Sequence, residues 1–152
     1  MAEFTLQPLL DLLNERADEA ARQLGRLIAA EQDARARLAL LCQYREEYAH
    51  RFCEAQTAGL TLSSWRNYQE FLGKIDEAIR QQDALVENSA QNTAAGQEHW
   101  RKQHIRMKAI DTLSIRHRSA EEKKALRQEQ KQTDEFGLRR RTHSLNLVKS
   151  NQ

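Results

Sequence analysis

Gln56-Thr57-Ala58-Gly59-Leu60-Thr61-Leu62-Ser63-Ser64 is the stretch that interrupts an otherwise helix-forming sequence. Gly59 suits the left-handed position that follows a helix, with Leu60 placed for a hydrophobic contact back onto the last turn. Ser63 or Ser64 suits an N-cap, whose hydroxyl accepts from a backbone N–H of the next helix. Apolar residues recur every seven positions on both sides. The nonamer reads as one short turn between two long helices.

Upstream, residues 6–57 place Leu10, Leu13, Ala17, Ala20, Leu24, Leu27, Glu31, Ala34, Leu38, Leu41, Arg45, Tyr48, Phe52 and Ala55 at a and d of a heptad. Only Glu31 and Arg45 are charged. The stripe is a coiled-coil seam, too narrow to face a globular core. Downstream the period resumes with Trp65, Tyr68, Leu72, Ile75, Ile79, Gln82, Val86, Ser89, Thr93, Gly96, Trp100, Gln103, Met107 and Ile110. This second series is weaker through residues 82–103 and fades beyond Ser114.

A short connection makes the two helices antiparallel neighbours. Facing residues then have numbers with a constant sum, and a turn centred near Leu60 sets that sum at about 120. Both tryptophans face alanines (Ala55–Trp65 and Ala20–Trp100), Leu24 faces Gly96, and Glu31 faces Ser89. Arg45 falls opposite Ile75, which buries a guanidinium unless its stem snorkels outward. The expected architecture is all-α: one antiparallel two-stranded coiled-coil hairpin over 1–141. Its first helix covers about 5–58, its turn 59–64 and its second helix about 65–136, with 142–152 a disordered tail.

Composition agrees with this reading. The 152 residues include 5 Gly and 1 Pro, and charged residues make up 30%. That is too polar for a thick core, yet too regular for disorder. Residues 1–100 carry 10 Lys/Arg and 16 Asp/Glu, a net of −6, whereas 101–152 carry 14 and 6, a net of +8. The basic third is suited to an acidic partner surface or, on charge alone, nucleic acid. Cys42 and Cys53 lie too far apart on one helix to join, and read as free thiols of a reducing compartment. No leader pattern and no run of 18 apolar residues is present, so a cytoplasmic chain without membrane insertion is expected.

Catalytic patterns are missing. There is no Gly-rich phosphate loop, no His-Glu-x-x-His and no nucleophile elbow. His99 and His104 are five apart, on different helix faces, and His50, His117 and His143 are scattered. The expectation is a non-enzyme that holds no metal and no cofactor.

One group of motifs is more specific than the heptads. It comprises Tyr44-Arg45-Glu46-Glu47-Tyr48, Trp65-x-Asn67-Tyr68-Gln69-x-Phe71, Ile75-x-x-Ala78-Ile79, Trp100-Arg101-Lys102 ahead of Leu113, and Asp134-Glu135-Phe136. From about Leu6 to Arg141 the chain resembles the FliJ family, small components of the type III flagellar protein-export ATPase complex. The resemblance implies a hairpin similar to the central stalk of rotary ATPases. It implies a stalk in the pore of the hexameric export ATPase FliI that promotes ring assembly, links it to the cytoplasmic part of the export gate protein FlhA, and escorts export chaperones. The ATPase regulator FliH would be a further partner. The place implied is the cytoplasmic face of the inner membrane at the flagellar base, with peripheral attachment. The implied stalk segments are roughly residues 6–30 and 95–136, and the implied gate contact falls on Phe71, Ile75 and Ala78.

Those three residues also stand out from spacing. Phe71 and Ala78 are both g positions, and Phe71, Ile75, Ala78 and Gln82 form a second stripe beside the seam. Phe71 either folds over Tyr48 to shield the seam or stands out as a docking anchor. Two features depart from the family pattern: Gly73 inside the key helix, and the polar tail after Arg139-Arg140-Arg141. Two other classes of function fit the same sequence. One is a scaffold that dimerises through the first helix, against which a monomeric hairpin is expected. The other is a basic helical nucleic-acid-binding protein.

Overall fold

The computed structural model describes residues 3–151. Two helices account for nearly all of them: α1, Gln7–Ala58, and α2, Leu62–Ser150. The chain is all-α, an antiparallel two-helix hairpin. Pro8 sits in the first turn of α1, where its missing N–H leaves no intrahelical bond unmade.

The turn is shorter than the spacing suggests. Gly59 takes a φ of +97°, the left-handed conformation that any Cβ would strain. The N-cap is Thr61, ahead of both serines. Its hydroxyl oxygen accepts the Ser64 backbone N–H at 3.2 Å, and its O–H donates to the Ser64 hydroxyl at 3.0 Å. A hydroxyl three residues before the N–H it receives is the geometry of a cap, so α2 begins at Leu62 rather than Trp65.

The chain divides into two compact units: Glu15–His104, and the residues up to Asn14 together with those from Ile105 onward. In the first, Ala17, Ala20, Ala34, Ile75 and Val86 are buried, and the other a and d positions are half-buried apart from Trp65. Trp65 stays exposed because the seam ends there and its facing residue, Ala55, is small. Phe52 and Tyr68 meet at a tilt with ring centroids 5.2 Å apart, and the Thr93 hydroxyl donates to the Leu27 carbonyl at 3.3 Å. The residue numbers of both pairs sum to 120, which sets the register of this unit.

The weak half of α2 is held by polar contacts. The Gln82 amide donates to the Ala34 carbonyl at 3.0 Å. Glu31 pairs with Arg35 of its own helix at 2.9 Å, beside the Thr93 hydroxyl. At Gly96 a Cβ would lie 2.5 Å from Leu27 Cδ1 and 3.7 Å from Leu24 Cδ1, so the missing side chain lets α1 leucines approach the α2 backbone.

In the second unit Leu10, Leu13 and Ser114 are buried, and Phe4 lies against His117 with ring centroids 5.5 Å apart. The less exposed a and d positions continue through Ser114, His117 and Glu121, past the point where the apolar pattern fades. From residue 122 to 151 every side chain is exposed. Even so, α2 runs on to Ser150, past the expected end near 136 and through the stretch expected to be disordered. No proline follows Pro8, and Thr142, Ser144 and Ser150 bond back to carbonyls one turn earlier. Gly137 costs the helix only about 1 kcal/mol, too little by itself to end it.

Candidate docking surface

An aromatic ladder lies next to the turn. Tyr44, Tyr48 and Phe52 line one edge of α1 at spacings of four, and Tyr68 and Phe71 line α2. Tyr48 takes Tyr68 at 5.3 Å and Phe71 at 4.5 Å, while Tyr44 meets Phe71 edge-on at 6.2 Å. Such tilted and edge-to-face pairs are each worth about 0.5–1.5 kcal/mol beyond their area. Lost hydration first, and then the neighbouring Tyr68 and Tyr44, raise the Tyr48 phenol above its ordinary pKa.

Phe71 therefore does both things open to it: it covers Tyr48 and remains 36% exposed. Ile75, one turn on, is only 5% exposed and belongs to the seam beneath. Ala78 is half-buried on the flank. Of the three residues the sequence singles out, Phe71 is the one that presents a large apolar surface to solvent.

The structure adds residues from α1 to this surface. Tyr44 is 46% exposed and links the ladder to a shallow groove of about 430 Å³ lined by Arg37, Leu40, Leu41, Tyr44 and Gln82. Leu40 is 64% exposed beside it. The heptad carries the signal: in an antiparallel pair the g positions of the two helices adjoin, and Tyr44 is g of the first and Phe71 g of the second.

Arg45 explains how the seam tolerates a guanidinium. It leaves the layer of Ile75 and pairs with Asp76, the next residue along α2. The Asp76 bond raises the Arg45 pKa, and the same bond holds the Asp76 carboxyl below its ordinary value. Arginine partners likewise lower Glu31 (Arg35), Glu77 (Arg80), Glu98 (Arg101) and Glu19 (Arg22, then Arg26). These carboxyls bind fewer protons folded than unfolded. Their stabilisation is present above the ordinary carboxylate pKa of about 4 and is lost as pH falls through the lowered values. Thermal melts should show Tm falling on acidification from about pH 5 to pH 3, with a shallower fall in Asp76→Asn. An unchanged slope in that variant would remove Asp76 from the account.

Among the described residues, the buried Gln103 Oε1 has no hydrogen-bond partner. Trp100 stacks on His104 at 4.9 Å, one turn along the same helix. Cys42 and Cys53 are both free and exposed. Among the described residues no three His, Cys, Asp or Glu side chains converge as metal ligands, and no helix is long and apolar enough to cross a membrane.

A hairpin of two long helices with a solvent-facing aromatic flank places the chain among the all-α helical-hairpin proteins. Comparison with known proteins narrows it. Residues 1–145 match the family described as Flagellar FliJ protein, and the chain belongs to that family. It is similar to the flagellar FliJ protein of Escherichia coli K12, 33% identical over 140 residues that cover 91% of this chain and 95% of the relative. The FliJ protein of Salmonella typhi is 31% identical over 134 residues, 88% of this chain and 91% of that one. Among solved structures, CT670 of Chlamydia trachomatis, described as a YscO homolog, superposes with a TM-score of 0.63 at 16% identity. That match covers 90% of this chain and 93% of the other, and bears on the fold alone.

Proposed function

We propose that this chain is a non-catalytic stalk and linker of the flagellar type III export apparatus. Membership of the FliJ family supports the coarser part, a component of flagellar export. In this reading it stands in the ring of the export ATPase FliI, promotes ring assembly, and connects the ring to the cytoplasmic part of the gate protein FlhA. It escorts export chaperones, with FliH as a further neighbour, at the cytoplasmic face of the inner membrane. The observation that carries the link to the gate is the exposed flank of Phe71 and Tyr44, built from both helices and continuous with the Leu40 groove. Ile75 acts from below, holding the helix that presents Phe71.

The test is a binding titration of the full chain against the gate protein's cytoplasmic part. Phe71→Ala is expected to weaken binding tenfold or more, as an interface anchor does, while helicity holds and Tm drops by a few degrees at most. Unchanged affinity, or a collapse of the fold, would mean that Phe71 only shields the seam. Sedimentation at the monomer mass accompanies this reading. A stable dimer would favour a pairing scaffold instead.

A further inference from the structure

The end of α2 repeats a pattern for which α1 offers no counterpart. Continuing the heptad frame of α2, the a and d positions after Glu121 are Lys124, Gln128, Lys131 and Glu135, a polar interval, followed by Leu138, Thr142, Leu145 and Lys149. The apolar d positions thus return at Leu138 and Leu145, with Val148 beside them at g. All three are open to solvent, at 61%, 61% and 63% exposure. Within their own compact unit, the first residues of the chain are already used far upstream of them, at Phe4 against His117. No part of α1 remains to cover this stripe.

Charge says what would cover it. After Glu135 the chain has no acidic residue, while Arg139 at e and Arg141 at g flank the stripe and Lys149 stands in it at a. A second copy of the same segment would bring like charges together. A membrane surface asks for one broad apolar face. Here Phe136 and Leu147 lie eleven positions apart on the opposite side of the helix from Leu138 and Leu145, and Phe136 is already stacked under the Arg140 guanidinium, 5.2 Å from the ring centroid. Phosphates would take the arginines and leave the leucines unused. An acidic amphipathic helix uses both: its apolar residues fill the seam over Leu138, Leu145 and Val148, and its carboxylates meet Arg139, Arg141 and Lys149.

We propose that residues 138–149 form a second docking site, distinct from the Phe71 flank, which takes an acidic amphipathic helix of another protein and completes a two-stranded coiled coil with it. The segment buries nothing of its own, and a helix without tertiary packing is marginal in water. Docking would therefore consolidate helix as well as bind. This site does not depend on the gate-linking role proposed above.

The experiment uses the full chain and a labelled three-heptad peptide with Leu at a and d and Glu at e and g, followed by fluorescence anisotropy and circular dichroism. The acidic peptide should bind, with a gain in helical signal beyond the sum of the parts, and its Lys-for-Glu counterpart should not. Leu138→Asn with Leu145→Asn should weaken binding at least tenfold without moving the Tm of the hairpin, since both side chains are exposed. Glutamine at 139–141 should weaken it too and flatten its dependence on salt. Absence of binding, or binding indifferent to the leucine pair, overturns the proposal. So does a dimer of the chain abolished by the leucine change, or binding to phosphatidylserine vesicles or a short DNA duplex in place of the peptide.

Discussion

Ile75→Ala should lower the stability of the hairpin by about 2–3 kcal/mol, the lower part of the range for truncating a buried isoleucine. The side chain is 5% exposed and sits beneath the aromatic ladder. The lower part applies because no side chain among the described residues is fully buried, so a vacated layer can relax into solvent. Urea unfolding of the full chain, followed by circular dichroism, would measure it. Ile75→Ala also separates two explanations of lost partner binding. A variant at Phe71 should lose binding while the hairpin stays folded with Tm lower by a few degrees, and one at Ile75 should lose both together. If Ile75→Ala left the midpoint unchanged, the seam assignment around Arg45 would have to be abandoned.

The second large effect concerns two glycines of α2 that look alike in the sequence. Gly73 has open space where a Cβ would go, and Gly96 has Leu27 at 2.5 Å. Gly73→Ala should therefore stabilise the chain by about 1 kcal/mol, the ordinary helix preference for alanine. Gly96→Leu should destabilise it by about 1–3 kcal/mol through overpacking. The Leu27 end is flexible enough to make way for a methyl group, which is why leucine is the informative substitution at 96. Shifts of opposite sign in urea midpoint are the expected result. A stabilising Gly96→Leu would mean that α1 does not approach the backbone there, and the register would be wrong.

Much of the fold was legible because a two-stranded seam imposes a strict period, and a turn centred near Leu60 sets the register by arithmetic. Phe52–Tyr68 and Leu27–Thr93 lie where that arithmetic puts them. Features that depend on a single side-chain choice were not legible. Thr61, Ser63 and Ser64 are all capable caps, and only backbone geometry selects Thr61. Whether Arg45 is buried or escapes depends on Asp76 lying one residue past Ile75, beyond what a list of a and d positions records. The extent of α2 was not legible from the seam, because composition alone continues a helix that lacks breakers after its seam has ended. At the candidate site, Phe71 was visible from its spacing. Tyr44 and Leu40 emerged only once the two helices were set side by side, because the surface belongs to neither helix alone.

The three residues between α1 and α2 have a kinetic consequence. Bringing Phe52 to Tyr68 closes a loop of 16 residues, while bringing Leu27 to Thr93 closes one of 66. The longer closure costs about 1.2 kcal/mol more in chain entropy, at about 0.6 kcal/mol per doubling. Pairing should thus start at the turn and zip outward, so that the aromatic flank is the first surface to exist on folding and the last to be lost. Hydrogen exchange should find the amides around Phe52 and Tyr68 protected for longer than those around Leu27 and Thr93. The reverse order would mean that nucleation lies elsewhere.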